Sequence, residues 1–245
     1  MSVPAGTAEV WWARRQDAAP RHLALLDETE HRRWTAYRRE ADRERFLAGC
    51  ALAKAVLGRH AGLRPADVRF DRTCGECGEA HGKPVMKGSA AIEHSVAHSG
   101  DLIAVAVAAD PVGVDVEQLD GRRRPLGADG DPESLARLVL SGAEQAALAA
   151  VPRDDRARAF LTAWARKEAV TKATGDGLRT PFSEVVVAAD AGPPRLVSWP
   201  YPRDPRAVTL LDLDAAPGYV AALAVLGRCE AVTARDGSTL LAALV

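Results

Sequence analysis

The spacing of apolar residues along the chain predicts a mixture of helices and strands. Over residues 42–58, Phe46, Leu47, Cys50, Val56 and Leu57 recur near the helical period, which indicates a helix with one apolar face. Similar patterns predict helices over residues 133–139, 142–149 and 153–173. Apolar or alternating runs predict strands over residues 10–13, 68–70, 102–107, 112–116, 184–189, 207–213, 219–226 and 229–233.

The order of these elements, helices followed by strands, occurs twice. Residues 45–47 resemble residues 159–161 at an offset of 114, and residues 55–56 match 169–170 at the same offset. The predicted hairpin over 102–117 likewise resembles residues 219–235. We therefore predict an α+β fold of two similar lobes, residues 1–111 and 112–245, each with helices packed on a small, mostly antiparallel sheet. Chance similarity in a chain rich in alanine and arginine is the alternative.

Three carboxylates interrupt this repeat. Position 168 is glutamate, whereas its counterpart at the offset of 114 is Lys54. Asp115 and Glu117 end the first predicted hairpin, and the corresponding residues 232–234 are not acidic. A structural requirement should recur in both lobes, but a single functional site need not. The asymmetry therefore predicts one site that contains Asp115, Glu117 and Glu168.

The first two of these carboxylates lie at the end of a predicted strand. Because side chains alternate along a strand, Asp115 and Glu117 share one face, while Val114 and Val116 point the other way. Carboxylate oxygens on a rigid strand suit Mg²⁺ or Mn²⁺, and Mg²⁺ also binds phosphate oxygens of a substrate. A solvated strand end is the alternative interpretation.

The third carboxylate lies on a predicted helix that also carries a lysine. Trp164, Glu168 and Lys172 are spaced four residues apart, so they form one stripe. Only five of the 32 basic residues are lysine, so a lysine here is unusual. A lysine ammonium is a compact charge that suits phosphate binding. An ordinary ion pair between helical turns is the alternative.

Two short segments are candidates for phosphate binding. Residues 81–84 read His-Gly-Lys-Pro, in which glycine permits close approach of the backbone and Lys83 supplies charge. His98 and Ser99 follow on a strand edge and could donate hydrogen bonds to phosphate oxygens. A plain turn and a structural histidine are the alternatives.

A cysteine pair lies within the glycine-rich loop before these segments. Cys74 and Cys77, with His81 nearby, suggest zinc. A closed structural zinc site needs four ligands, and no fourth ligand is visible nearby. A loop without metal is the favoured interpretation.

Composition narrows the possible partners and compartment. The 245 residues include 32 basic and 33 acidic side chains, a balance that argues against a general nucleic-acid or membrane binder. Four scattered cysteines suit a reducing cytoplasm. We see no apolar run of transmembrane length and no signal peptide at the start of the sequence, so we expect a cytoplasmic protein.

Taken together, these segments resemble the 4′-phosphopantetheinyl transferases of the larger, two-lobed type. Residues 113–117 are similar to the family's Gly-x-Asp-x-Glu motif, and residues 164–172 are similar to its Trp-x-x-Lys-Glu-Ala-x-x-Lys motif. Residues 81–84 and 98–99 resemble its Gly-Lys-Pro and Ser-His-Ser segments. The resemblance extends from about residue 26 to residue 226. Residues 94–97 depart from the Phe-Asn-x-Ser that often precedes the family's His-Ser.

The resemblance implies an activity and a role for individual residues. Members transfer 4′-phosphopantetheine from coenzyme A to a serine of an apo carrier protein with Mg²⁺, and they release adenosine 3′,5′-bisphosphate. We hypothesise that Glu168 is the base for the serine hydroxyl, directly or through a metal-bound water, and that Lys172 neutralises or protonates the leaving phosphate. The implied metal ligands are Asp115, Glu117 and Glu168. The implied coenzyme A contacts are Arg33, Arg45, Lys83, Pro84, His98 and Lys172.

Further expectations concern the surroundings of the site. Glu144 matches a family acid at a helix start near the metal, and the site is expected in the cleft between the lobes. The basic cluster of Arg122, Arg123 and Arg124 is expected to dock an acidic carrier domain. We expect a monomer. The alternatives are a non-catalytic module that binds coenzyme A or a carrier protein, and a Mg²⁺-dependent phosphohydrolase.

Overall fold

The computed structural model describes residues 3–75, 77–79, 82–88, 92–119, 132–190 and 192–244. The chain divides into two compact units. Unit 1 comprises Met1–Val112 and Cys229–Val245, and unit 2 comprises Gly113–Arg228. Within the described ranges, no helix is both long enough and apolar enough to cross a membrane.

Helices and strands are mixed along the chain, so the fold is α+β, as the spacing of apolar residues predicts. The helices are α1 (Glu28–Ala36), α2 (Glu40–Ala61), α3 (Pro132–Val139), α4 (Gly142–Ala150), α5 (Arg156–Thr174) and α6 (Gly237–Ala242). The strands are β1 (Thr7–Arg14), β2 (Phe70–Asp71), β3 (Val85–Met86), β4 (Glu93–Ser99), β5 (Leu102–Ala108), β6 (Val112–Gln118), β7 (Val186–Val187), β8 (Leu196–Ser198), β9 (Thr209–Asp212), β10 (Tyr219–Val225) and β11 (Ala231–Asp236).

Unit 1 is built around a four-stranded sheet with the order β11-β1-β5-β4. Strand β5 is antiparallel to both β1 and β4, whereas β11 is parallel to β1. Helix α2 packs on this sheet through Leu52 and Val56, which share a core with Ile103 and Val105 of β5. This apolar contact explains why the helical periodicity of α2 is readable from the sequence.

Unit 2 is built around a three-stranded sheet with the order β6-β10-β9. Helix α5 presents small residues to this sheet: Ala165, Ala169 and Ala173 share a core with Ala222 and Ala224 of β10. Small side chains on both elements permit close approach of the helix and the sheet. This spacing matters because α5 and β6 carry the predicted acidic residues.

The two hairpins predicted from the sequence do not form. Strand β5 lies in the four-stranded sheet and β6 in the three-stranded sheet. The two edges of β10 are taken by β6 and β9, so β11 pairs instead with β1, from Thr7 opposite Ala231 to Trp12 opposite Asp236. Residues 229–245 therefore belong to unit 1, whereas the sequence placed them in the second lobe.

Candidate active site

A close contact between β6 and α5 defines the acidic site of unit 2. A Cβ atom at Gly113 would lie 1.9 Å from the carbonyl oxygen of Ala169 and 2.5 Å from the amide nitrogen of Ala173. Only glycine fits at that separation. The first residue of the Gly-x-Asp-x-Glu segment thus lets the strand that carries Asp115 lie against the helix that carries Lys172.

Lys172 and Asp115 form the central ion pair of this site. The Nζ of Lys172 lies 2.6 Å from Asp115 Oδ1 and also donates to the carbonyl oxygen of Val114 at 3.3 Å. Asp115 is only 5% exposed, and its second oxygen, Oδ2, is buried without a hydrogen-bond partner among the described residues. An unsatisfied buried carboxylate oxygen is costly, so this atom is a natural position for a cation or a further donor.

Burial and mutual charge interactions shift the pKa values of the ionisable residues in this site. Burial raises the pKa of Asp115, although Lys172 opposes the shift. Burial also raises the pKa of Glu168, and the charge of Asp115 adds to this effect. Burial lowers the pKa of Lys172, but Asp115, Glu168 and Glu117 outweigh it and leave the pKa above its ordinary value. Lys172 therefore carries its proton at neutral pH and faces three carboxylates.

The structure does not present these carboxylates as a ready-made metal site. Over the residues that it describes, no group of three His, Cys, Asp or Glu side chains is arranged to hold a metal ion. Mutual repulsion of Asp115, Glu117 and Glu168 opposes such a group, and the positive charge beside Asp115 comes from Lys172. The three carboxylates belong to one charged cluster around Lys172.

Glu144, which the sequence predicts to lie near the metal, accepts hydrogen bonds from donors of the chain itself. It is the third residue of a capping box that begins α4, and its Oε2 accepts from the Ser141 amide at 2.7 Å and from Lys167 Nζ at 2.8 Å. Its Oε1 accepts from the Val187 amide at 2.9 Å. Both oxygens are thus occupied by donors of the chain itself.

Lys167 is the buried ion-pair partner of Glu144. From the sequence alone it has no role beyond its place in the Trp-x-x-Lys-Glu-Ala-x-x-Lys motif. Besides Glu144, its ammonium donates to the carbonyl oxygens of Phe182 and Val185. Burial lowers the pKa of Lys167 below its ordinary value, and the charge of Glu144 opposes this shift without cancelling it. Lys167 precedes Glu168, so this buried network fixes the turn of α5 that carries the predicted base.

Unit 1 contains a separate cavity of about 190 Å³. More than half of its lining residues are basic or aromatic. The lining also includes three of the predicted coenzyme A contacts, Arg33, Pro84 and His98. The Arg33 guanidinium lies 5.7 Å from the centre of the Phe46 ring. The further basic and aromatic lining residues are Tyr37, Phe70, Arg72 and His94.

The two other predicted contacts in unit 1 are held by ion pairs and do not line this cavity. The buried Arg45 donates to the carbonyl oxygen of Gly100 at 2.9 Å and to Asp42 at 2.7 Å. Lys83 pairs with Glu93 at 2.9 Å. In this structure Arg45 therefore connects the first turn of α2, through Asp42, to the carbonyl oxygen of Gly100.

Sequence reasoning missed Arg72 and gave His94 no role. His94 is buried against Phe70 with ring centroids 5.1 Å apart, and burial, with the charges of Lys83 and Arg72, lowers its pKa to about 3. His94 is therefore neutral at physiological pH. No periodic pattern marks Arg72, because it follows a strand of only two residues.

Several predicted residues lie outside the described part of the chain: His81, Arg122, Arg123 and Arg124. Cys74 is buried and Cys77 is exposed. No metal-binding group that includes them occurs in the described residues.

Comparison with known proteins identifies the family. The family model of the 4′-phosphopantetheinyl transferase superfamily matches residues 111–224. The chain is 31% identical over 189 residues to 4′-phosphopantetheinyl transferase HetI of Nostoc sp., which covers 76% of this chain and 72% of that protein. It is 23% identical over 204 residues to 4′-phosphopantetheinyl transferase Sfp of Bacillus subtilis, with 83% and 84% covered.

One solved structure is the holo-[acyl-carrier-protein] synthase of Thermotoga maritima, which is 24% identical to this chain with a TM-score of 0.36. The match covers 48% of this chain and 63% of that one.

The segment that matches the family model contains the charged cluster, with the residues Asp115, Glu117, Glu168 and Lys172. The family match and the named relatives show that the protein is a transferase. The chain belongs to the 4′-phosphopantetheinyl transferase superfamily. The coverage of Sfp fits the larger type.

Proposed function

We propose that this enzyme transfers 4′-phosphopantetheine from coenzyme A to a serine of an apo carrier protein and releases adenosine 3′,5′-bisphosphate. The observation that carries the proposal is the cluster of Asp115, Glu168 and Lys172 within the segment that matches the family. The reaction requires a base for the serine hydroxyl and positive charge for the leaving phosphate, and this cluster contains both kinds of group.

We propose Asp115, Glu117 and Glu168 as ligands of Mg²⁺, or of Mn²⁺. The buried, unpartnered Oδ2 of Asp115 supports this assignment, because it is an oxygen donor in need of a cation. When bound, the metal would polarise the diphosphate and offset its charge. Lys172 already offsets one carboxylate, which lets the acids remain close together without a metal.

Glu168 is the proposed base. Its raised pKa lies closer to neutral pH than the pKa of an ordinary glutamate, which makes Glu168 a stronger base for the serine hydroxyl. Lys172 has a raised pKa and stays charged, so it is suited to stabilising the departing phosphate electrostatically.

The cavity of unit 1 is the proposed position of the coenzyme A nucleotide. Aromatic rings offer stacking surfaces and basic side chains offer phosphate contacts, which together suit a nucleotide. Arg33, Pro84 and His98 would contact it from the cavity wall. Arg45 and Lys83 remain proposed phosphate contacts that would exchange or share their present carboxylate partners on binding.

The remaining proposals concern the partner and the compartment. The arginines at 122–124 would dock the acidic surface of a carrier domain, so charge reversal there should raise the KM for the carrier and weaken its salt dependence. We infer a monomer, which light scattering would test. The four cysteines are scattered along the sequence, which supports a reducing compartment such as the cytoplasm.

Intact-protein mass spectrometry tests the reaction directly. Enzyme, coenzyme A and Mg²⁺ are mixed with an apo carrier domain, and controls omit the metal or replace the carrier serine by alanine. A gain of one phosphopantetheine that depends on both is expected. Coenzyme A binding without any gain across several carriers would favour a non-catalytic module. Release of adenosine bisphosphate without a carrier would favour a phosphohydrolase.

Glu168→Gln tests the proposed base. General-base assistance typically contributes about 10²–10⁴-fold, so we expect a loss of turnover of that order while coenzyme A still binds. Turnover is followed by the rate of holo-carrier formation and binding by calorimetry. Glu184→Gln, which alters an exposed glutamate beyond α5, is the control. Full activity of Glu168→Gln would exclude this role.

A further inference from the structure

The cavity of unit 1 has an excess of positive charge. Among the described residues that line it, Glu30 is the one acid, whereas Arg33 and Arg72 are both cationic. Glu30 is fully buried and already pairs with Lys54, whose Nζ lies 2.7 Å from Oε2. Glu30 thus meets both Lys54 and Arg72, and these two cations together with Arg33 leave two positive charges in excess of this one carboxylate.

Arg72 is held in a defined orientation at this wall. Its Nη2 donates to Glu30 Oε1 at 3.2 Å, and its guanidinium lies 5.2 Å from the centre of the Phe70 ring. The side chain is only 14% exposed. A guanidinium has five N–H donors in a rigid fork, so one contact to Glu30 leaves the fork capable of binding an anion. Because its rotamer is fixed in advance, little entropy is lost on binding.

We propose that Arg72 is a phosphate-binding residue of the cavity and that the buried Glu30–Lys54 pair positions it. The assignment rests on the proposed function, because the ligand is the nucleotide end of coenzyme A. A phosphate monoester carries nearly two negative charges at neutral pH, whereas each unit of a diphosphate chain carries one. The monoester concentrates this charge on one group, whereas the diphosphate spreads its two charges over two groups, so the two arginines of one small cavity suit the monoester and Arg72 is assigned to the 3′-phosphate.

Calorimetry of binding, without metal or carrier, separates this contact from catalysis. Coenzyme A and 3′-dephospho-coenzyme A are each titrated into wild-type enzyme and Arg72→Met. A charge-assisted contact implies that Arg72→Met binds coenzyme A about tenfold to a hundredfold more weakly. The affinity for the dephospho compound should not change.

Two further variants guard against a merely structural effect. Arg69→Met removes an exposed neighbouring arginine whose guanidinium bonds to the carbonyl oxygens of Ala66 and Val68, and it should leave both affinities unchanged. Arg72→Lys keeps the charge but not the fork, so its affinity for coenzyme A should lie between those of wild type and Arg72→Met. Circular dichroism confirms that each variant is folded.

Each outcome decides the assignment. Equal affinities of wild type and Arg72→Met for coenzyme A would overturn it while the proposed function stands. Equal losses for both ligands would overturn the monoester assignment in favour of the diphosphate. Failure of wild type to bind coenzyme A, with no transfer in the mass-spectrometric assay, would overturn the proposed function and this contact with it.

Discussion

Each unit of the chain has a short helix that begins with a capping box, and in each the glutamate of the box meets a fully buried lysine. In both units the Oε2 atom of the glutamate accepts from the amide of the capping residue and from the lysine ammonium. The capping residue, glutamate and lysine are Asp27, Glu30 and Lys54 in unit 1, and Ser141, Glu144 and Lys167 in unit 2.

The units differ in what the other oxygen of the glutamate holds. Glu30 Oε1 accepts from the guanidinium of Arg72, a side chain that lines a cavity. Glu144 Oε1 accepts from the backbone amide of Val187 on a short strand. The same buried pair therefore orients a cation for a ligand in unit 1, whereas in unit 2 it fixes the backbone around the helix that carries the acidic site.

The comparison also corrects the alignment of the repeat. The capping boxes are related by an offset of 114, but the buried lysines and the helix-ending glycines, Gly62 and Gly175, are related by 113. The counterpart of Lys54 is thus Lys167, and that of Glu168 is Ala55. Glu168 still has no acidic counterpart in unit 1, which is the asymmetry expected of a single site.

The largest expected effect is that of Lys167→Met. It leaves Glu144 buried without its cation and removes the donor for two carbonyl oxygens. Breaking such a pair typically costs about 3–5 kcal/mol, and we expect that loss in the free energy of unfolding, measured with urea. Lys87→Met, at an exposed lysine, is the control. A loss below about 1 kcal/mol would contradict the structural importance of this pair.

Lys54→Met should have a smaller effect, because Glu30 retains Arg72 as a cationic partner and only the Leu25 carbonyl oxygen loses its donor. We expect a loss of about 1–3 kcal/mol. The double variant with Arg72→Met should be less stable than the sum of the single changes predicts, by about 0.5–3 kcal/mol. Additive losses, or equal losses for Lys54→Met and Lys167→Met, would remove the distinction between the units.

The smallest expected effect is one of pH. The pKa of His94 falls from about 6.5 in the unfolded chain to about 3 in the fold. Between these values the unfolded chain binds a proton that the folded chain does not, so stability falls by about 1.4 kcal/mol per pH unit as pH decreases. Urea unfolding at pH 7 and pH 5 should therefore show a larger loss of stability on acidification for wild type than for His94→Gln.

The acidic site of unit 2 contributes with the opposite sign. The raised pKa values of Asp115 and Glu168 mean that the fold keeps protons that the unfolded chain releases, so these groups favour the fold as pH decreases through the raised values. The comparison with His94→Gln isolates the contribution of His94. His31→Gln, at an exposed histidine, is the control, and identical slopes for His94→Gln and wild type would contradict the assignment.

The amino-acid sequence by itself determined the features that depend on local periodicity. The helix predicted over 42–58 is observed as Glu40–Ala61, and the one predicted over 142–149 as Gly142–Ala150. The carboxylates of β6 and the Glu168–Lys172 stripe of α5 were also identified, because a strand or a helix fixes the relative placement of residues two or four positions apart. The α+β class follows from the same patterns.

Only the tertiary structure decided which distant segments meet. The pairing of Thr7 with Ala231, the two occupied oxygens of Glu144, and the contacts of Arg72 with Phe70 and Glu30 all depend on sheet order and on the packing of helices against it. Local hydrophobic spacing carries no information about which strand edge remains open or which buried acid a lysine meets. These long-range contacts follow from burial of the whole chain, because each buried edge and charge must find a partner somewhere in it.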